Sequence, residues 1–373
     1  MKFSCEKAIL QSAVTTAGRV VASKSSIQAL EGILVEAEAE SLHLSGYNLE
    51  TGIVTKVPAE VEENGAIVLS ARLFGEILRR MPDDVVSIQT TASCSVHIQC
   101  GPTSFDIMGS SDEDFPELPS VSDGRGLTIA QGDLRAMIAQ TIFAVSDNES
   151  RPIHTGALFE TDGERLTMVA VDGYRLALRR EKLMGQEAPD PLSFVVPGAA
   201  LNEVEKICAD SDAPAAVTQG ERHVTFEIGD TLLVARRLEG EFLNYRQTIP
   251  QNNSVVLEAE AADLQRSIDR ASLIINDKLK SPLRCKFEDG SLSITSKTAI
   301  GSAFDRCPIS GDGKGLEIGF NNRFLMEAVK AAPAGRVRLE LNTATSPCLI
   351  LPQEGEGDGF LYMVLPVRLR AAE

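Results

Sequence analysis

A three-strand pattern recurs along this chain, and the recurrence limits what the chain can fold into. The clearest copy spans Gly156 to Arg180, where apolar and polar residues alternate in three short runs. The pairs Asp162-Gly163 and Asp172-Gly173 separate these runs, and Asp-Gly is typical of tight hairpins. Similar stretches at Gly32 to Val57 and Arg284 to Cys307 lie roughly 125 residues away on either side. The chain is therefore predicted to hold three copies of one domain.

Each predicted domain repeats a smaller unit twice, in the order strand, helix, three strands. The first helix carries apolar residues at helical spacing from Ile9 to Val21, and the second carries Leu73 to Met81 and stops before Pro82. The fold class is predicted to be α+β, with domains at 1–120, 127–248 and 254–373. Two aperiodic stretches, Ser110 to Gly126 and Leu238 to Ser254, are predicted to connect them.

Composition excludes several classes of protein. A net charge of -17 over 373 residues argues against a generally basic surface, and no segment reaches the length of an apolar membrane span. The seven scattered cysteines and the absence of a targeting pattern predict a cytoplasmic protein with reduced thiols. The histidines lack metal-ligand spacing, so no metal and no cofactor is predicted. Asp112, Glu113 and Asp114 are expected to form a solvated connector, with a divalent ion as the alternative.

The predicted helices carry a different charge from the rest of the chain. Windows 6–19, 71–80, 132–142, 198–208, 261–274 and 321–332 hold eleven cations and eight anions, so they sum to +3 and the remainder to -20. This partition fits helices that meet phosphate while the other surfaces stay acidic. Ordinary ion pairing on solvated helices is the alternative explanation.

Three motifs in order, AVDGYRL, EFLNYRQTIP and YMVLPVRL, give the chain a family resemblance. With the triplicated two-helix domain, it resembles the bacterial sliding clamp, the beta subunit of DNA polymerase III. The resemblance implies a head-to-tail homodimer that forms a closed ring, with helices lining the hole and sheets outside. It also implies a non-catalytic protein whose partners are double-stranded DNA, held topologically, the replicative polymerase, the clamp loader and other clamp-motif proteins, with no membrane.

The resemblance further implies a cleft that binds an extended partner peptide. Its matching positions are His154, Val171, Gly173, Tyr174, Arg175, Leu176, Leu243, Gln247, Met363, Leu365, Pro366, Val367, Arg368 and Leu369. His154 stands where the family often has leucine, and Leu243 where it often has proline. Without the resemblance, these residues would be interpreted as strand and connector packing.

The resemblance implies two more sets of residues. Lys24, Arg72 and Asn148 match DNA-contacting positions, with solvated surface as the alternative for Lys24. Pro152 and Ile153 replace aromatic residues of the family near Asn148. Closure of the dimer would place Phe105 and Ile107 of one copy against Leu273 and Ile274 of the other, and core packing is the alternative for these four.

Three functions remain in competition on the sequence. The first is a processivity clamp on DNA. The second is a carboxylate-dependent hydrolase, which the absence of a P-loop, GxSxG or HExxH motif disfavours. The third is an acidic protein-binding scaffold without nucleic acid, which the net charge permits.

Overall fold

The structure is a computed structural model that describes residues 1–122, 124–185, 191–275, 281–333, 335–353 and 359–369. The chain divides into two compact units. The first unit joins Met1–Arg135 to Ala199–Arg237, and the second joins Ala136–Gly198 to Leu238–Glu373. Every strand ladder among the described residues is antiparallel, as expected where short turns connect neighbouring strands.

The helices and strands follow the predicted order closely. Residues 1–122 form β1 (Lys2–Glu6), α1 (Lys7–Ala17), β2 (Gly32–Glu38), β3 (Ser41–Tyr47), β4 (Thr51–Pro58), β5 (Glu60–Glu63), β6 (Gly65–Ser70), α2 (Ala71–Arg80), β7 (Val85–Thr90), β8 (Ser95–Cys100) and β9 (Thr103–Met108). Residues 124–237 form β10 (Arg125–Ala130), α3 (Gln131–Ala139), β11 (Gly156–Thr161), β12 (Arg165–Val171), β13 (Arg175–Lys182), β14 (Ser193–Pro197), α4 (Gly198–Ile207), β15 (Pro214–Gln219), β16 (His223–Ile228) and β17 (Thr231–Arg236). The remainder forms α5 (Tyr245–Thr248), β18 (Val255–Glu260), α6 (Ala261–Ser272), β19 (Leu283–Thr298), β20 (Gly301–Phe320), α7 (Asn322–Ala331), β21 (Arg336–Leu341), β22 (Cys348–Pro352) and β23 (Phe360–Val364).

Two sheets build the first unit. One has the order β5-β1-β7-β8-β9, and the other has the order β10-β15-β16-β17-β4-β3-β2-β6. In the second sheet β17 pairs with β4, with Leu233 opposite Ile53, and the hydroxyls of Thr55 and Thr231 lie 2.9 Å apart. Strands from the first and second predicted domains therefore share one ladder.

Helices α1 and α2 cover one core of the first unit. Leu10, Phe74 and Leu78 are fully buried there with Phe3 of β1. Removal of each such side chain from water contributes about 1.5–3 kcal/mol to folding. The hydroxyl of Ser70 accepts the N–H of Leu73 at 3.4 Å and caps the start of α2.

One sheet forms the second unit, with the order β14-β11-β12-β13-β23-β22-β21-β18-β20-β19. Its central joint is the pairing of β13 with β23, in which Leu176 lies opposite Met363. Strand β13 comes from the second predicted domain and β23 from the third. In both units, therefore, ladders join strands of different predicted domains. The domain boundaries remain a prediction.

Two local expectations were wrong. The predicted three-strand stretch from Arg284 to Cys307, with the strand near Leu316, instead forms only the two long strands β19 and β20. Register shifts at Phe287/Asp289 and Asp289/Ser291 mark bulges in this ribbon, so the Asp289-Gly290 pair bends a continuing strand rather than closing a hairpin. Strand β5 was missed because its sequence, Glu-Val-Glu-Glu, is polar, and it pairs at the sheet edge with β1.

Candidate binding sites

The turn between β12 and β13 projects Tyr174 into solvent. The Asp172 carboxylate accepts the N–H groups of Tyr174 at 2.9 Å and of Arg175 at 3.1 Å. Gly173 has a φ of 90°, a backbone conformation that residues other than glycine rarely adopt. Tyr174 is 63% exposed as a result, which is high for an aromatic residue. The Asp-Gly pair noted in the sequence thus fixes the direction of this ring.

Tyr174 forms one wall of a groove with a volume of 670 Å³. Its ring stacks on Phe324 of α7, with 5.9 Å between ring centroids and 25° between planes. The Asn321 side chain accepts the N–H of Arg323 at 3.0 Å and so caps α7 beside the groove. The groove is lined by Tyr174, Ile275, Ser281, Pro282, Asn321, Asn322, Arg323, Phe324, Leu365, Pro366 and Val367.

Arg175 lies beneath this wall rather than on the groove surface. Its side chain is only 7% exposed, and it forms ion pairs with Asp172 and Glu327. The guanidinium lies 4.5 Å from the centroid of Phe324 and 5.4 Å from that of Phe143. A buried cation with two carboxylates and two rings around it holds Phe324 in place. Arg175 therefore supports the groove from below.

The tail after β23 forms the opposite side of the groove. The N–H of Leu365 donates to the Tyr174 carbonyl at 2.9 Å, and the N–H of Val367 donates to the Gly319 carbonyl at 2.7 Å. A Cβ at Gly319 would lie 2.5 Å from the Val367 oxygen and 2.6 Å from Leu369. Only glycine permits so close an approach of the two backbones. Pro366 lines the groove within this tail, and Arg368 is exposed on it.

A second apolar area lies along the same pair of strands, β13 and β23. Leu176 and Met363 are buried there in one cluster with Tyr245, and Phe242 packs against that cluster. The His154 ring meets Phe242 edge to face, with 5.3 Å between centroids. Burial, and then the nearby charge of Arg151, lowers the pKa of His154. Among the described residues, Nδ1 of His154 has no hydrogen-bond partner.

The remaining predicted cleft residues differ in exposure. Val171 is buried at the end of β12, whereas Leu243 is 41% exposed and Gln247 is exposed on the connector. All fourteen predicted positions lie in the second unit. Sequence reasoning missed the wall supplied by Asn321, Asn322 and Phe324. The pattern Asn-Asn-Arg-Phe was a visible signal of a helix start, since asparagine is a preferred N-cap residue.

The predicted DNA-contacting residues are all exposed. Lys24 lies in the loop after α1, and Arg72 lies in the first turn of α2, both in the first unit. Asn148 lies in a turn of the second unit, where its side chain accepts the N–H of Ser150 at 3.0 Å. The turn therefore uses the amide oxygen of Asn148, and the amide N–H groups are the donors suited to phosphate.

The four residues predicted at the dimer interface differ in exposure. Phe105 and Leu273 are exposed, whereas Ile274 is partly buried and Ile107 packs against the core of the first unit. Phe105 and Ile107 are on β9, the edge strand of its sheet, and Phe105 is 37% exposed. Leu273 is 79% exposed just after α6, with Ile274 beside it. Two further apolar residues, Ile300 and Phe304, are 71% and 62% exposed near the turn that joins β19 to β20. An uncovered edge strand with exposed apolar residues is a surface that proteins usually cover.

No group of histidine, cysteine, aspartate and glutamate among the described residues could hold a metal ion, and all seven cysteines are free thiols. The described helices include none with the length and apolar character to cross a bilayer.

Comparison with known proteins gives one consistent answer. Models of the DNA polymerase III beta subunit match in order, the N-terminal domain at residues 1–119, the central domain at 128–244 and the C-terminal domain at 246–368. The beta sliding clamp of Bacillus subtilis is 29% identical over 99% of this chain and 100% of its own length.

Solved structures agree with these matches. The crystal structure of a protein from Eubacterium rectale assigned as a DNA polymerase III beta subunit is 33% identical, with a TM-score of 0.92 over 98% of this chain and 99% of its own. The DNA polymerase sliding clamp of Bacillus subtilis gives a TM-score of 0.93 at 28% identity, over 99% of this chain and 100% of that structure. Three domains of the clamp fold, mixed α and β, are thereby confirmed. The chain belongs to the DNA polymerase III beta subunit family, the bacterial sliding clamps.

Proposed function

We propose that this protein is a DNA sliding clamp, which encircles duplex DNA and tethers the replicative polymerase and other clamp-binding proteins. The family is a non-catalytic accessory of DNA polymerase III, so the function is binding and not turnover. The observation that carries the proposal is the succession of three beta-subunit domains along one chain. We place the domains at 1–120, 127–248 and 254–373, and the protein in the cytoplasm.

The proposed site for partners is the groove beside Tyr174 together with the apolar area around Leu176 and Met363. The groove offers the stacked Tyr174–Phe324 rings and the backbone of the 365–367 tail, with Asn322 and Arg323 at its polar rim. Apolar walls with a few placed polar groups suit an extended peptide that carries apolar side chains. Leu243 and Gln247 on the connector would contact the same peptide.

The proposed contact with DNA is electrostatic and independent of sequence. The helical windows carry +3 while the rest of the chain carries -20, so the helices are the part of the chain that suits phosphate. Lys24, Arg72 and Asn148 supply an ammonium, a guanidinium and an amide group at exposed positions. A protein held by topology needs no tight phosphate contacts, and weak contacts let it slide.

The proposed ring is a homodimer in which two copies meet head to tail. Phe105 and Ile107 on the β9 edge of one copy would meet Leu273 and Ile274 of the other. A heterologous contact closes into a ring when the rotation between the copies permits it.

Retention on DNA of defined topology tests the proposal. The protein is loaded onto nicked circular DNA by its clamp loader and separated from free protein by gel filtration. We expect it to stay bound at moderate salt and to be lost when the circle is cut. Retention on circles that falls steeply with salt would indicate ordinary electrostatic binding instead. Peptide binding without any retention on DNA would favour the scaffold function.

A further inference from the structure

A polar groove in the first unit runs along α1 and the end of α4. Its volume is 650 Å³. Its walls carry the hydroxyl groups of Ser12 and Thr16 and two cations, Arg19 and Lys206. The Gln131 amide and the Thr231 hydroxyl also line the groove, but they are hydrogen-bonded within the protein. Two cations surrounded by hydroxyl groups form a surface suited to an anion such as phosphate.

Glu203 on α4 already pairs with both cations. Its Oε1 lies 2.7 Å from Nζ of Lys206, and its Oε2 lies 3.7 Å from Nη1 of Arg19. The second distance is too long for a hydrogen bond, so the contact leaves the N–H donors of Arg19 able to serve another anion. The Glu203 side chain is only 16% exposed, and its Oε2 accepts no hydrogen bond from the described residues.

We infer that this groove binds a backbone phosphate of duplex DNA through Arg19 and Lys206, and that Glu203 keeps the contact weak. The inference rests on the proposed clamp function and identifies a residue that regulates its DNA surface. A phosphate that enters the groove must share both cations with the carboxylate, which remains in place. The three side chains sum to one positive charge, whereas the two cations alone would give two. A weakened contact suits a protein that must move along DNA.

Substitution of Glu203 tests the inference. Glu203→Gln keeps the size of the side chain and removes its charge, so both cations become available to phosphate. We expect about two- to fivefold tighter binding of the full-length protein to a short fluorescent duplex, measured by anisotropy, which is the range for one ion pair at the protein surface. The plot of log affinity against log salt should become steeper by about 0.9 for each added phosphate contact.

The matched control is Glu62→Gln. Glu62 on β5 pairs with Lys2 on β1 at 2.6 Å. Glu62→Gln therefore changes the net charge by the same amount as Glu203→Gln, but the cation that loses its partner, Lys2, lies on a strand and not on a helix. We expect its DNA affinity to stay within about twofold of the wild type. Equal tightening by both variants would overturn the inference in favour of a general charge effect.

A second pair of variants covers the case in which Glu203→Gln folds poorly. Arg19→Gln and Lys206→Gln should each weaken binding and make the salt dependence shallower, and unchanged affinity in both would overturn the inference. Wild-type retention on nicked circles is measured in parallel. Retention with no effect of these variants would reject the groove alone, whereas absence of retention would reject the clamp function.

Discussion

Tyr174 is the residue on which the partner groove most depends. Its ring is 63% exposed and stacks on Phe324, so it is held in place without being part of the core. We expect Tyr174→Ala to weaken binding of an extended peptide that carries apolar side chains by about 2- to 13-fold, because an aromatic contact contributes about 0.5–1.5 kcal/mol beyond the area it buries. Fluorescence anisotropy with a labelled peptide measures this loss.

Tyr174→Phe is the control, because it keeps the ring and removes only the hydroxyl. It should bind the peptide nearly as well as the wild type. Both variants should melt within a few degrees of the wild type, since little of this side chain is buried. If Tyr174→Ala bound the peptide normally, the groove beside Phe324 would not be the peptide site.

His154 makes the stability of the second unit dependent on pH. Burial, and then the charge of Arg151, lowers its folded-state pKa below the ordinary value of 6.5. The unfolded chain therefore binds the proton more readily, so the contribution of neutral His154 is complete above about pH 6.5 and is lost as the pH falls through the folded-state pKa. We expect the melting temperature of the wild type to fall relative to that of His154→Leu as the solution is acidified.

The subtraction of the two melting curves isolates His154, because other titrating groups, including His223 with its own lowered pKa, are common to both proteins. Differential scanning calorimetry at several pH values from about 7.5 to about 5 spans the relevant range. A constant difference between the two proteins would show that His154 is protonated equally in the folded and unfolded states.

Residue positions in the groove were predictable only in part. The motif around Tyr174 and the tail from Leu365 could be recognised because each is a continuous stretch of sequence. The aromatic partner Phe324 lies on a helix far along the chain, and no sequence motif connects it to Tyr174. The burial of Arg175 was also not predictable from the sequence, because the fold brings its partners Glu327 and Phe143 to it from other parts of the chain.

At the scale of elements, Gly319 is the point where the tail is attached to β20. A methyl group there would lie 2.5 Å from the Val367 carbonyl oxygen and 2.6 Å from Leu369, and both contacts are too short. We expect Gly319→Ala to displace the tail and to weaken peptide binding by about tenfold, the effect of losing roughly 1.4 kcal/mol, which is within the range for a lost backbone hydrogen bond. The same anisotropy assay measures this change.

Gly126→Ala provides a matched control in another strand. A Cβ at Gly126 would lie 3.5 Å from the Thr218 hydroxyl, which is ordinary contact, and the strand backbone there accepts any residue. Its peptide affinity should equal that of the wild type. Normal peptide binding by Gly319→Ala would mean that the tail position does not control the groove.

Strands and helices were predictable where a short periodic run ended at a clear turn signal. The hairpin at Asp172-Gly173 formed as predicted because the aspartate side chain accepts two backbone N–H groups. The pair Asp289-Gly290 has the same letters but lies within a bulged ribbon, since the flanking strands continue to pair beyond it. Local sequence specifies the bend, and long-range pairing decides whether the strand ends there.

At the scale of the whole molecule, the sequence indicated repeats but not how they share sheets. Pairing of β17 with β4 and of β13 with β23 joins strands that belong to different predicted domains. Pairing between these strands is made by backbone hydrogen-bonding groups, which are the same in nearly every residue, so no side-chain pattern predicts it. The alternation of apolar and polar residues predicted the three copies because each copy has its own alternation. The strand pairing between copies is long-range, and the sequence pattern did not indicate it.

Assembly is the property of the whole molecule that the proposed function requires, and Leu273 offers the sharpest test of it. This side chain is 79% exposed in the single chain, and burying it against a second copy would remove a large apolar surface from water. A central contact of this kind contributes about 2 kcal/mol or more, so Leu273→Ala should weaken dimerisation by about 30-fold. Sedimentation equilibrium over a range of concentrations measures the shift from dimer to monomer.

Leu49→Ala, which removes a leucine that is 50% exposed on the turn before β4, should leave the dimer unchanged. Both variants should retain the wild-type melting temperature of the isolated chain, because neither side chain is buried there. A wild-type protein that stays monomeric at all concentrations would exclude a closed ring of two copies, and equal dimerisation by the two variants would move the interface away from the end of α6.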